Sequence, residues 1–206
     1  GATGIESLFV QKRGNLRRDL YYRAYSGLLE EMYGGVGGEL LYSPFSSRLA
    51  FGLNLNWVKQ RDYDKKFDFL DYSVLTGHIS AYWATPWYNY DVSLHVGKYL
   101  AKDKGATIEV GRTFDNGWVI GAFSTFTDVS AEEFGEGSFD KGLFFKVPLG
   151  EILPGNTRSS YTNTIRSIQR DGGQRLNGFG GTLWSDLRPT RYDALNNNLP
   201  RMVPQI

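Results

Sequence analysis

Carboxylates crowd one stretch of the chain. Glu132, Glu133, Glu136 and Asp140 fall within thirteen residues, Asp128 to Asp140. Two carboxylates held across a glycosidic bond can act as acid and as base or nucleophile in glycoside hydrolysis. The stretch is also polar, acidic and Gly-containing. A solvated loop explains it without chemistry and is the favoured interpretation, which leaves these residues as candidate loop contacts. Other constellations fall short of a site. His78 and His95 have no metal ligands spaced around them. Asp62, Asp64 and Asp68 imitate a calcium loop but lack the Gly at the bend and the closing Glu. Gly135-Glu136-Gly137-Ser138 is not followed by the Lys-Ser/Thr of a phosphate loop. The 206 residues contain no cysteine, so thiolate catalysis, thiolate metal sites and disulfides are excluded. No catalytic, cofactor or metal residue is assigned, and the chain is read as non-enzymatic.

The elements that carry these groups alternate with a period of two, the mark of strands whose faces meet different surroundings. Leu49, Phe51, Leu53, Leu55 and Trp57 alternate with Ala50, Gly52, Asn54 and Asn56. Leu75, Ile79, Ala81 and Trp83 lie opposite Thr76, His78 and Ser80. Tyr88, Tyr90, Val92, Leu94 and Val96 lie opposite Asn89, Asp91, Ser93, His95 and Gly97. Ile108 and Val110 lie opposite Thr107 and Glu109. Asp115-Asn116-Gly117 is hairpin chemistry, since Asn and Gly accept positive φ and Asp can bond its own backbone. Tight turns are expected at Pro44, Pro86 and Asn116, and longer polar loops at Gln60–Asp71, Ala101–Gly105 and Asp128–Ser138. That alternation suits an up-and-down barrel with short turns on one rim. A helix over Ser26–Tyr33 has little room before the glycines that follow. The expected organisation is an arm or linker over residues 1–18, a barrel of about 8–10 strands over 19–184, ending in a weak strand over Arg175–Trp184, and an irregular, Pro- and Asn-rich tail over 185–206.

Composition alone admits two all-β readings. The 25 glycines, 13 tyrosines, 13 phenylalanines and 5 tryptophans suit turns, a tight barrel interior and aromatic girdles at membrane interfaces, or the aromatic-rich core of a soluble β-domain. No run approaches the ~20 apolar residues of a membrane helix. A net charge of +1 offers no bulk attraction for a polyanion, so nucleic acid is not an expected partner. With no starting Met and no leader, the chain is read as a mature or excised segment.

Longer phrases carry a resemblance. Leu28-Leu29-Glu30-Glu31-Met32-Tyr33-Gly34-Gly35-Val36-Gly37-Gly38-Glu39, Gly111-Arg112-Thr113-Phe114-Asp115-Asn116-Gly117, Phe134-Gly135-Glu136-Gly137-Ser138-Phe139-Asp140-Lys141-Gly142 and Gln169-Arg170-Asp171-Gly172-Gly173 resemble the YjbH/GfcD family, over roughly Tyr21 to Asp171. Those are outer-membrane proteins of exopolysaccharide and capsule operons, and much longer than this chain, which is similar to their C-terminal part. The resemblance implies an antiparallel up-and-down transmembrane β-barrel in the cell outer membrane. It implies a non-enzymatic part in polysaccharide export or assembly, with lipid, polysaccharide and other secretion proteins as partners. It supplies no catalytic motif and no cofactor. On that expectation Asn54, Asn56, His78, Ser80, Asp91, His95 and Glu109 are candidate lumen-facing residues, and Arg112, near a turn, reaches for headgroups. The alternative is a soluble secreted β-domain that binds carbohydrate through aromatic platforms.

Overall fold

The computed structural model describes residues 4–128, 140–148, 160–166, 172–176 and 179–196. Ten strands succeed one another: β1 (Leu8–Arg17), β2 (Leu20–Leu28), β3 (Tyr33–Tyr42), β4 (Leu49–Arg61), β5 (Phe69–Ala84), β6 (Tyr90–Lys98), β7 (Lys104–Thr113), β8 (Val119–Thr127), β9 (Asp140–Pro148) and β10 (Ser160–Arg166). They follow sequence order in one up-and-down sheet, and every strand pair with an assigned register is antiparallel. Among the described residues, β1 has a strand neighbour only in β2 and β10 only in β9. A short helix α1 (Leu183–Leu187), a 3-10 turn (Arg188–Thr190) and a helical turn over 192–196 follow. No helix among the described residues is long and apolar enough to cross a membrane.

Local chemistry sets the turns. Tyr88 and Asn89 are both left-handed, at φ 45° and 55°, as in a type I′ turn, whose twist suits a hairpin. Thr85 N–H donates to Tyr90 C=O at 2.9 Å across it. In the Asn116 hairpin, Gly117 takes φ 81°, Phe114 N–H donates to Trp118 C=O, and the Asn116 side chain accepts from Trp118 N–H at 3.1 Å. Elsewhere the connections differ from expectation. Arg61 and Phe69 are already strand, so the charged connection shrinks to residues 62–68. Backbone pairing continues beyond the apolar part of β4, as in Tyr33 opposite Gln60. Residues 8–17, placed in the arm, form β1. The described part of 175–184 is not strand, and helix replaces an irregular start to the tail.

The polarity of the sheet is inverted relative to a water-soluble domain. Leu49, Phe51, Leu53, Leu55 and Trp57 of β4 are each 45–55% exposed, whereas Asn56 keeps only 3% of its surface. In β5, Leu75 and Ile79 are 52% and 68% exposed beside Thr76 at 2% and His78 at 6%. Leu94, Val96, Ile108, Val110 and Ile120 are exposed, and Ser93, His95, Thr107 and Thr125 are buried. The buried face is not purely polar: Leu41, Ala50, Val58 and Val74 lie on it too, and Val147 of β9 is buried although its strand neighbour Leu143 is exposed.

The chain divides into two compact units. One comprises Gly1–Ile79 with Arg175–Ile206, and the other Ser80–Gln174.

Candidate functional site

The buried polar face is where this chain concentrates groups capable of recognition. In the first unit it is built in two cross-strand rows. Strand pairing aligns Arg13, Arg23, Glu39 and Asn54 in one row, and Gln11, Tyr25, Gly37 and Asn56 in the next.

A closed ring of hydrogen bonds joins the second row to Asn54 of the first. Tyr25 Oη donates to Asn56 Oδ1, Asn56 Nδ2 donates to Asn54 Oδ1 at 2.5 Å, and Asn54 Nδ2 donates to Tyr25 Oη at 3.0 Å. Glycine at position 37 makes room for it: a Cβ there would sit 2.1 Å from Asn56 Oδ1 and 2.6 Å from the Tyr25 ring.

The first row is ionic. Arg23 and Glu39 face each other with Nη1 and Oε2 3.7 Å apart, their side chains 3% and 8% exposed. Burial of a charge is tolerated only with partners, and Arg23 has several. Its Nε donates to Gln11 Oε1 at 2.9 Å, and Nη1 and Nη2 donate to the carbonyls of Gly181 and Phe179 at 2.5 Å. The guanidinium also lies 4.6 Å and 4.8 Å from the ring centroids of Tyr25 and Phe179. Glu39 Oε1 accepts from Leu183 N–H at 3.0 Å. Arg13 donates to Asp186 and to the Gly180 carbonyl. The Phe179 ring meets Phe9 and Tyr25 edge-on, at 5.2 Å and 4.8 Å.

The segment after residue 178 is therefore seated on the polar face of β1–β3. A capping box at Thr182 and Ser185 starts α1 there, and Leu183 is 5% exposed. Farther along, buried Arg191 donates to Ser43 Oγ at 2.9 Å and lies 5.2 Å from the Trp184 ring. Tyr192 N–H donates to Phe45 C=O at 3.3 Å.

At the far end of β4, Arg61 is fully buried and gathers the chain around it. Its Nη1 donates to the carbonyls of Glu6 and Glu30, and Nη2 to those of Ile5, Lys65 and Lys66, at 2.6–3.3 Å.

The second unit buries hydroxyls, His95 and the carboxylates of Asp103 and Asp140. Tyr99 Oη, Thr107 Oγ1 and Thr125 Oγ1 form a ladder at 2.6 Å and 2.8 Å. Ser80 Oγ and His95 Nδ1 are 2.7 Å apart, and His95 Nε2 lies 3.7 Å from Glu109 Oε1. A Ser, His and Glu in line evoke a nucleophile relay. The arrangement does not support one: the carboxylate is beyond hydrogen-bond length, and Ser80 and His95 are 5% and 6% exposed, with the Tyr82 ring edge-on to the imidazole.

The other candidates fall as follows. Asn54, Asp91 and Glu109 are half-buried, and Asn56, His78, Ser80 and His95 are buried. Asp140 is no loop contact. It opens β9 opposite Thr125 and is 1% exposed. Glu132, Glu133 and Glu136 lie outside the described residues. Arg112 lies over the rings of Phe114 and Tyr90, at 4.8 Å and 5.7 Å. Sequence reasoning gave no site role to Arg23, Tyr25 or Glu39. Their available signal was a shared parity with the polar face, blurred in a loosely alternating β2 and a Gly-rich β3.

Residues 1–187 match the family described as "Exopolysaccharide biosynthesis protein YbjH", and the chain belongs to that YjbH family. A relative is the "Uncharacterized lipoprotein YjbH" of Escherichia coli (strain K12), 47% identical over 177 residues, which are 84% of this chain and 25% of the relative. The chain thus spans about a quarter of that protein's length. No solved structure matches.

Proposed function

We propose that the sheet is part of a transmembrane β-barrel in the outer membrane, and that its polar face lines an interior serving exopolysaccharide or capsule export or assembly. The observation that carries this is the inverted polarity. Stripes of Leu, Ile, Val, Phe and Trp that water would penalise stand exposed, while Thr, Ser, Asn, His and Arg are withdrawn and paired. Exposed apolar surface is favourable only against another apolar medium. Lipid supplies that medium continuously along every strand. Strand length supports the reading: β1–β3 and β6–β9 have 9–10 residues, close to the ~9–11 that cross a bilayer at a tilt. Backbone groups on the outer edges of β1 and β10 would be unsatisfied in lipid, so the reading requires them to pair with each other or with further strands. That the relative is named a lipoprotein supports an envelope location.

The role is passive. Hydroxyls, amides, an imidazole and paired charges offer a sugar polymer exchangeable hydrogen bonds along a wall, with no bond to the polymer made or broken. The partners are lipid, polysaccharide and other proteins of a secretion system.

The test is fractionation of the full-length protein followed by gel migration with and without heating. Recovery in the outer membrane and a heat-dependent shift are expected. Full solubility without detergent would favour the carbohydrate-binding β-domain, for which the exposed Trp83–Trp87 pair, 5.7 Å between centroids, would be a platform. Replacing Glu132, Glu133 and Glu136 by Gln should leave polymer length unchanged; longer polymer would restore a hydrolase.

A further inference from the structure

We infer that residues 179–196 are a built-in plug that keeps the polar face of β1–β3 closed in the resting protein, and whose departure opens it. This rests on the barrel reading for what lies open afterwards, but the seat itself does not. Three observations carry it.

The segment is held on the polar side of the sheet, by groups whose hydrogen bonds water would satisfy in a hydrated interior. Arg23 spends both terminal nitrogens on the carbonyls of Phe179 and Gly181, and Glu39 accepts from Leu183 N–H. None of these contacts is a strand-pairing bond, and neither are the Arg13–Asp186 ion pair and the packing of the Phe179 ring on Phe9 and Tyr25, so the segment can leave without unpairing a strand. The second latch is separate. Arg191 binds Ser43 Oγ and lies beside Trp184, at the β3–β4 connection. Two latches at the two ends of one short segment fix its position, with Leu183 buried between them and the Phe179 ring packed on Phe9 and Tyr25 at the first. The seat's charged pair is thereby covered: with the segment gone, Arg23, Glu39, Gln11 and the Tyr25 ring would face the interior.

The experiment uses full-length protein with cysteine introduced by Leu183→Cys, or by Tyr192→Cys as an exposed control, Tyr192 being 57% exposed. Labelling in detergent uses a charged maleimide. Leu183→Cys should react at least about tenfold more slowly than Tyr192→Cys, because labelling waits on local opening. Adding Arg23→Met with Glu39→Gln removes both charges of the seat together and should bring the two rates together. Arg191→Gln, which leaves the Arg23 seat intact, should do so in part. Equal rates in the parent protein would overturn the plug.

The second measurement is ion conductance in planar bilayers, where the Arg23→Met, Glu39→Gln protein should conduct more than its parent. Equal conductance with a protected Leu183→Cys would mean a docked segment that closes nothing, and the proposal would fall. If neither protein enters the bilayer, the barrel reading fails and the plug with it. Thiol protection would then describe only a segment packed on a sheet.

Discussion

Replacing Leu55 with Arg separates a lipid-facing stripe from a water-facing one more sharply than any other single change. Leu55 is 55% exposed and six residues from either end of β4. At ~3.3 Å per residue and a tilt of ~45°, that is about 14 Å from each end of the strand, and inside the exposed apolar stripe that runs from Leu49 to Trp57. A guanidinium at that depth costs about 2–4 kcal/mol, falling towards zero near the interfaces. By the ~1.4 kcal/mol per tenfold rule this is about 30- to 700-fold in the folding equilibrium. On a water-exposed strand face the same substitution stays within about 0.5 kcal/mol. The assay is reversible guanidinium unfolding from lipid vesicles, comparing the parent, Leu55→Arg and Tyr63→Arg. Tyr63 is 73% exposed in the 62–68 connection, so its Arg variant should match the parent. A Leu55→Arg protein as stable as the Tyr63→Arg one would refute the lipid-facing assignment, and with it the barrel.

Thr107 holds the middle of the hydroxyl ladder, bonded to both Tyr99 and Thr125. Thr107→Val keeps its shape but removes that bridge, and should cost about 1–3 kcal/mol in the same unfolding assay. Gly37→Ala drives a methyl into Asn56 Oδ1 and the Tyr25 ring. A loss of about 1–3 kcal/mol is expected, and recovery in the Gly37→Ala, Asn56→Ala double variant would show that the clash is the cause. Arg61→Lys retains the charge but loses the planar fork that reaches five carbonyls. It should leave strand content by circular dichroism unchanged while trypsin cuts the 62–68 connection faster.

The fold was legible wherever residue types differ cleanly between faces. Leu-Ala-Phe-Gly-Leu-Asn-Leu-Asn-Trp announces β4 because every second residue is apolar. β1 was not legible, since Leu-Phe-Val-Gln-Lys-Arg-Gly-Asn-Leu-Arg mixes charge and apolar groups on both parities, and only its pairing with β2 makes it a strand. The charged ends of β4 and β5 were taken for loop because composition reports solvent, not hydrogen bonding; strands continue after their side chains have left the apolar zone. The short helix had a local signal, the Thr182–Ser185 spacing of a capping box, which Pro189 and the Asn run outweighed. Residues around His95 and Asn56 follow from parity. Arg23 and Glu39 do not, because what keeps them buried arrives from 158 and 144 residues away. Long-range partnership leaves no periodic trace.

That distance also makes the polar seam of the first unit different in kind from that of the second. The hydroxyl ladder of Tyr99, Thr107 and Thr125 joins residues close together along β6–β8 and the connection after β6. The Arg23–Glu39 pair depends on distant residues: at 3.7 Å the ions attract but lie beyond hydrogen-bond length, and a buried guanidinium needs acceptors for its whole fork. Phe179 and Gly181 supply them as backbone carbonyls, which are neutral. The seat therefore has no dry, empty state. If the segment withdraws, water or the hydroxyls of a sugar must take over those donors at once, because leaving them bare would cost more than the segment's contacts return. Release and hydration of the interior are then one event. On the plug proposal, a segment held by neutral acceptors on a buried charge would be stable against an apolar surrounding and exchangeable against a polar one, as the proposed passage for a hydrated polymer would require.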